Sequence, residues 1–472
     1  MQAHEGQYVG GEWRPSAGTE VTEVVNPATE EVIATVPRGT AADVDAAVTA
    51  AGEAAPRWGA STREERLTRL TRLRDGLVAR KDEIARTVTA ELGSPIRISE
   101  LVHAGTPIAV TDAILEVLDG FPFEEKIGNS VVYAEPAGVV GAITPWNYPL
   151  HQIVAKVVPA LAAGCTVVLK PADDTPLVAR LFAEIVHDAG FPAGTFNLVT
   201  GPGSVVGSAI AEHPGVDMVS FTGSTAVGRR VGAAAGSGIK RVSLELGGKS
   251  ANVVLPGADL ATAVARGVNN AFLNGGQTCS AWTRMLVAEA DQEQAVELAA
   301  RAAEKYLPGD PADPATRLGP MVSAAQRDDV RRYIETGIKE GARLVAGGPE
   351  APRGVGRGHY VRATVFADVR PDMVIAQEEI FGPVLCIMPY RDEEHALALA
   401  NSTSYGLSGA VWAADRERAV AFARRMETGQ VDINGGAFNP AAPFGGYKQS
   451  GVGRELGRFG LEEFTQPKSL QF

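Results

Sequence analysis

Cysteine is scarce in this chain: three among 472 residues. Cys165, Cys279 and Cys386 are odd in number, far apart and free of metal-ligand spacing, which argues against a disulfide framework and suits a reducing compartment. The seven histidines form no metal-binding pattern either, so no metal is expected. Positive charge is in deficit. The 44 Lys and Arg against 56 Asp and Glu leave a net charge of −12, which suits neither a nucleic-acid nor an anionic membrane surface. No apolar run approaches the ~20 residues of a membrane span. The opening Met1-Gln2-Ala3-His4-Glu5-Gly6 lacks the basic and apolar regions of a secretory signal. Repeats and low-complexity linkers are missing, and residues 352–357 are only a polar, glycine-bearing loop. The expectation is a metal-free cytoplasmic enzyme with no nucleic-acid or membrane partner.

What is present is apolar residue enough for large cores, in a length that implies two or three domains. The first ~130 residues read as mostly helical, with leucines and charges at helical spacing over 63–92. Residues 130–134, Ser-Val-Val-Tyr-Ala, read as a strand leaving the main body. From 138 to 246 strand and helix alternate. Strands are expected at 139–144, 166–170, 196–200, 218–221 and 241–246. Helices are expected at 150–163, from a Thr175-Pro176 cap to Gly190, at 204–212 and at 225–234. This pattern implies a parallel, doubly wound sheet with its ligand beyond the carboxyl ends of the strands. A second alternating series runs from 250 to about 434, with strands at 251–255, 284–288, 384–390 and 408–412 and helices at 260–273 and 291–305.

Cys279 lies in the loop Asn274-Gly275-Gly276-Gln277-Thr278-Cys279-Ser280, after the first helix of the second series. A thiol is the best ordinary side-chain nucleophile once a neighbour activates it. An unpaired cysteine also serves as interior packing, but packing needs no glycine-rich loop around it. Glu245, in Leu244-Glu245-Leu246-Gly247-Gly248-Lys249, ends the last strand of the first series, where a partly desolvated carboxylate can act as general base. Asn147, held in Pro145-Trp146-Asn147-Tyr148-Pro149, can offer a fixed amide N–H to an oxyanion; asparagine is equally a turn former. Phe221-Thr222-Gly223-Ser224 joins a strand to a helix start and can cradle a pyrophosphate, although it lacks the Gly-x-Gly-x-x-Gly fingerprint and also reads as a simple cap. Lys170, at another strand end of the same sheet, suits a ribose or its phosphate, or plain solvation.

Together these segments resemble the aldehyde dehydrogenase superfamily, over nearly the whole chain and with motif order and spacing kept. The resemblance implies two doubly wound α/β domains and a small β element for oligomerisation. On that reading residues 1–117 and 137–246 form the NAD(P)-binding domain, 247–445 the catalytic domain, and 118–136 with 463–472 the bridging segments of a homodimer or homotetramer. It makes Cys279 the nucleophile, Glu245 the base, Asn147 the oxyanion donor, and Lys156 a lysine that aids proton transfer. It implies that Ile143, Thr144, Pro145, Trp146, Gly203 and Leu246 line the cofactor, with Lys170 and Asp173 towards the adenosine. Phe221, Gly223, Ser224 and Gly228 belong to the segment by the pyrophosphate, and Glu379 and Phe381 fall by the nicotinamide ribose and ring. A substrate channel is implied by Tyr148, His151, Gln152 and Ala155 on one side and by Thr278, Ser280, Phe438 and Phe444 on the other.

Three departures modify the expectation. Asp173 stands where glutamate is frequent; its charge favours NAD, and its shorter side chain leaves NADP possible. Ala155 replaces a bulky tryptophan and implies a roomier channel. Trp282 stands where small residues are frequent, and either packs behind the loop or lines the tunnel. The implied reaction is NAD(P)-dependent oxidation of an aldehyde to its acid through a covalent cysteine thiohemiacetal and thioester. The alternatives are an acylating dehydrogenase that hands the thioester to coenzyme A, and a catalytically retired scaffold on the same fold. Glu245 favours water over coenzyme A, and no arginine on 150–163 is there to meet a carboxylate-bearing substrate.

Overall fold

The computed structural model describes residues 2–472. The five expected strands form the parallel centre of an eight-stranded sheet, in the order Arg241–Glu245, Met218–Thr222, Val139–Ile143, Thr166–Lys170, Phe196–Leu198. Its register pairs Thr222 with Glu245 and Ile143 with Lys170, so the chemistry-bearing residues reach one edge together. Strand order reverses at Val139–Ile143, and the loops beyond its carboxyl end and that of Met218–Thr222 open the crevice where such sheets bind ligands. Both outer flanks are antiparallel: the hairpin Gln7–Val9/Glu12–Arg14 on one side and Gly451–Val452 on the other.

The helix Pro149–Ala163 lies beneath this edge. It starts with proline in its first turn and stops at Gly164, which takes the left-handed φ of 93° that glycine tolerates. It is apolar nearly all round, and almost every residue is buried in the main core against Gly105–Gly120 and Arg63–Ala79. The stretch Ile96–Gly120 is by length and composition apolar enough to cross a bilayer, contrary to the expectation that no such run exists. It is broken by a π turn at Ser99–His103 and buries one face against the helices beside it.

The second sheet has seven strands, in the order Arg343–Ala346, Thr364–Ala367, Val384–Tyr390, Arg284–Ala288, Ala251–Val254, Gly409–Trp412, Asp432–Ile433, all parallel except the first. A third sheet pairs Ser130–Pro136 with Glu124–Ile127 on one side and Thr465–Gln471 on the other. Residues 130–136 thus pair with the chain's end within one chain, and among the described residues no strand lies on the far edge of Thr465–Gln471.

Two further expectations are corrected. The region before residue 41 is strand, not helix: Val21–Asn26 and Glu31–Pro37 pair as an antiparallel ribbon of β-branched residues. The helix Leu177–Ala189 is not capped by Thr175. Glu91, from the helix Lys81–Leu92, accepts from the backbone N–H of Leu177 at 2.8 Å and of Val178 at 3.1 Å, doing the work of a cap from a distant element.

Candidate active site

The nucleophile loop owes its shape to three consecutive left-handed residues, Asn274, Gly275 and Gly276. At Gly276, φ is +72° and a Cβ would stand 2.1 Å from the carbonyl oxygen of Gly382, so no side chain fits. Side-chain amides pin the rest. Asn274 Nδ2 donates to the carbonyl of Asn147 at 2.8 Å, Asn147 Nδ2 donates to that of Gln277 at 3.0 Å, and Gln277 Oε1 accepts from Val322 N–H at 2.9 Å. Asn147 thus keeps one amide N–H free beside the thiol. Trp282, 4 % exposed, packs behind the loop in the core of the second sheet, which settles the choice left open by the sequence.

Cys279 is half-buried, and its thiol is pushed up to about 12, first by burial and then by Glu379 and Glu245. The segment after Glu245 lies directly against it: a Cβ on Gly248 would meet the carbonyl oxygen of Cys279 at 2.3 Å. Glu245 itself is buried, with neither carboxylate oxygen hydrogen-bonded. Burial and the nearby Glu455 push its carboxyl well above the usual range, while Lys156 and Arg454 pull the other way. The carboxyl lies towards Gly445, where a Cβ would stand 2.7 Å from its Oε1. Lys156 does not reach the thiol. Its ammonium is buried between the Thr222 hydroxyl, at 2.6 Å, and the Glu455 carboxylate. Glu455 escaped the sequence reading, since it lies 299 positions from its lysine in a glycine-punctuated run that reads as a turn.

A cleft of about 300 Å³ opens in front of the thiol, lined by Cys279, Pro145, Trp146, Asn147, Gly223, Ser224, Leu246, Glu379 and Phe381. Glu379 is half-buried, its carboxyl raised to about 7 by burial, and accepts from Gly248 N–H at 3.1 Å. Phe381 takes a left-handed φ of 57°, with its carbonyl held by Gln326 Nε2 at 2.9 Å and its ring edge-on to Trp146 at 5.3 Å. Ser224 caps the helix Thr225–Ser237 through Val227 N–H and lines the cleft at that helix end. Gln326, Asp329, Arg332 and Tyr333, all from Ala324–Lys339, complete the wall; nothing in their local sequence marked them.

Other residues assigned to the cofactor stand further back. Thr144 is buried with its hydroxyl unpartnered, and Ile143 is core. Phe221 lies beneath the turn, in contact with Gly223, and Gly228 packs against Leu246, so both shape the cleft from behind. Lys170 is buried, donating to Pro171 O and to Asp173 Oδ1 at 3.2 Å; the Asp173 side chain is 37 % exposed. Gly203 begins a π turn, Gly203–Gly207.

Of the channel residues, Tyr148 hydrogen-bonds Thr278 Oγ1 at 2.7 Å and stacks on His103 at 5.0 Å. His151 meets the edge of Phe438, and Ser280 is half-buried beside the thiol. Gln152 is buried with Oε1 unpartnered. Phe444 packs on the main core. Ala155 is 1 % exposed and also in that core, closed over by its neighbours rather than opening a wider passage.

Residues 13–470 match the aldehyde dehydrogenase family. A 3-succinoylsemialdehyde-pyridine dehydrogenase from Pseudomonas is 45 % identical over all of this chain and 99 % of its own length. Among solved structures, a mutant aldehyde dehydrogenase C from Pseudomonas syringae, complexed with NAD+ and octanal, has a TM-score of 0.98 at 46 % identity, covering 99 % of this chain and 96 % of that one. An aldehyde dehydrogenase of Mycobacterium tuberculosis, complexed with NAD+, has a TM-score of 0.98 at 42 % identity, covering 100 % and 98 %.

Proposed function

This chain belongs to the aldehyde dehydrogenase family, and from that premise we propose a site-by-site account of how it oxidises an aldehyde to a carboxylic acid with NAD+. The observation that carries the account is the meeting, at one cleft between two sheets, of a half-buried thiol and the Asn147 amide, with the buried Glu245 carboxylate near enough behind them to act on the thiol's charge.

Cys279, once deprotonated, attacks the carbonyl carbon, and a C–S bond forms as the carbonyl oxygen becomes an oxyanion. The free N–H of Asn147 and the backbone N–H of Cys279 stabilise that charge, a contribution of roughly 10²–10³ in rate at comparable sites. NAD+ supplies the hydride acceptor that makes the oxidation possible without a metal. An acyl thioester is then left on Cys279. Glu245 takes a proton from water, water attacks the thioester, and the C–S bond breaks to release the acid. Lys156 and Glu455 touch neither thiol nor substrate; they set the charge around Glu245.

The cleft suits NAD+. The Ser224 helix end, the Glu379 carboxylate and the Trp146–Phe381 pair offer, in turn, an anion site, a ribose acceptor and a flat apolar wall. Asp173 and Lys170 face the adenosine end, where the carboxylate disfavours the extra phosphate of NADP. The open edge of Thr465–Gln471 supports association into dimers or tetramers. Unpaired thiols suit a reducing cytoplasm.

The test is product stoichiometry. Purified protein with NAD+ and an aldehyde should give one reduced nicotinamide and one free acid per turnover, unchanged by coenzyme A. An acyl-coenzyme A product would transfer the account to the acylating alternative. Absence of any turnover across an aldehyde panel would return it to a retired scaffold.

A further inference from the structure

One face of the helix Pro149–Ala163 has chemistry that the reaction itself does not use. Tyr148, His151 and Gln152 stand at i, i+3 and i+4, one above another. At its near end the Tyr148 hydroxyl touches Thr278, the residue before the nucleophile. At its far side the His151 ring meets the edge of Phe438, with centroids 6.4 Å apart, and Phe438 is 45 % exposed. The face therefore runs from the surface to the thiol loop.

Two buried polar atoms on it have no partner in the protein: His151 Nδ1 and Gln152 Oε1. A buried polar atom left unpaired costs about 1–3 kcal/mol, so each calls for a partner from outside the chain. The charges that act on His151 are the Glu455 carboxylate and the Lys156 ammonium, which pair with each other. Burial holds both His151 and the nearby His103 down to about 4, hence neutral at pH 7, and the Lys156 ammonium one turn on is held by Glu455 and Thr222. Gln152 Oε1 accepts only, whereas a neutral imidazole nitrogen donates or accepts according to its tautomer. A hydroxyl, which donates and accepts at once, complements that pair. A carboxylate meets an unpaired acceptor without a cation, and a hydrocarbon leaves both atoms unsatisfied.

We propose that His151 and Gln152 select the substrate by hydrogen-bonding an uncharged hydroxyl on the aldehyde's tail, about one helical turn (~5 Å) beyond the carbonyl. The enzyme then takes hydroxylated aldehydes in preference to plain alkanals and to carboxylate-bearing semialdehydes. This rests on the aldehyde oxidation described above.

The experiment compares kcat/KM for pentanal, its ω-hydroxy analogue and its ω-carboxylate analogue, with NAD+ saturating. The hydroxy substrate should exceed pentanal by about tenfold, the worth of one buried hydrogen bond, and the carboxylate should be poorest. Gln152→Met and His151→Phe should each cost the hydroxy substrate more than pentanal and so shrink the ratio. Pentanal turned over as well as its hydroxy analogue, a preference for the carboxylate, or a ratio that survives both substitutions would overturn the proposal while leaving the reaction class intact. No oxidation of any of the three would overturn the reaction class and the proposal together.

Discussion

At the scale of single residues, Glu245 decides whether the thioester meets water. Its carboxyl must be ionised to take a proton, and its pKa is raised, so its help is absent at low pH and grows as pH climbs through a value well above the usual carboxylate range. The Cys279 thiol, pushed up to about 12, adds a limb of the same sign to its attack on the aldehyde, not to hydrolysis, since the acylated sulfur carries no proton. Hydrolysis of the acyl-enzyme, followed in single turnover, should therefore speed up from neutral to alkaline pH. Glu245→Gln should flatten that rise and slow hydrolysis ~10²–10⁴-fold, leaving a burst of reduced nicotinamide and an acyl adduct on Cys279 visible by mass spectrometry. Equal loss of burst and steady-state rate would mean that Glu245 activates the thiol instead. Cys279, Glu245 and Asn147 stand out in the sequence because each sits in a short motif at a strand end or glycine loop. Glu455 was not, because a buried ion pair spanning most of the chain leaves no local pattern.

At the scale of elements, the strand–helix alternation of the first sheet was readable from period and punctuation, nearly to the residue at Thr166–Lys170. The antiparallel flanks were not. Gln7–Val9 and Gly451–Val452 are too short to show a period, and only pairing with distant strands makes them strands. The Glu91 cap was hidden for the same reason. It fixes the start of the helix that follows the Lys170–Asp173 loop, so Glu91→Ala should lower stability by about 1–3 kcal/mol, measured by denaturant unfolding, and raise KM for NAD+ more than it lowers kcat. An unchanged KM would separate that cap from the cofactor. On the proposed reading the Lys170–Asp173 loop sets cofactor choice. A repulsion of on the order of 1–2 kcal/mol between Asp173 and a 2′-phosphate should give NAD+ roughly tenfold preference in kcat/KM without excluding NADP+. Asp173→Ser should shrink that preference, chiefly through KM for NADP+; an unchanged ratio would place Asp173 away from the ribose.

At the scale of the whole molecule, two sheets each contribute half of one site, and a third small sheet carries an exposed seven-residue strand, Thr465–Gln471, with one edge free. Such an edge invites a second chain. Leu470→Lys, or removal of residues 465–472, should shift the mass measured by light scattering towards the monomer; an unchanged mass would put the interface elsewhere. The division of labour between the sheets also gives the sharpest test. The thiol belongs to the second sheet's loop, while the residues that would hold NAD+ come largely from the first, so the two functions are separable. Calorimetric titration of Cys279→Ala with NAD+, run beside an aldehyde oxidation assay, measures both. The account predicts cofactor affinity near that of the unaltered protein and no aldehyde oxidation; oxidation surviving near the unaltered rate would contradict it.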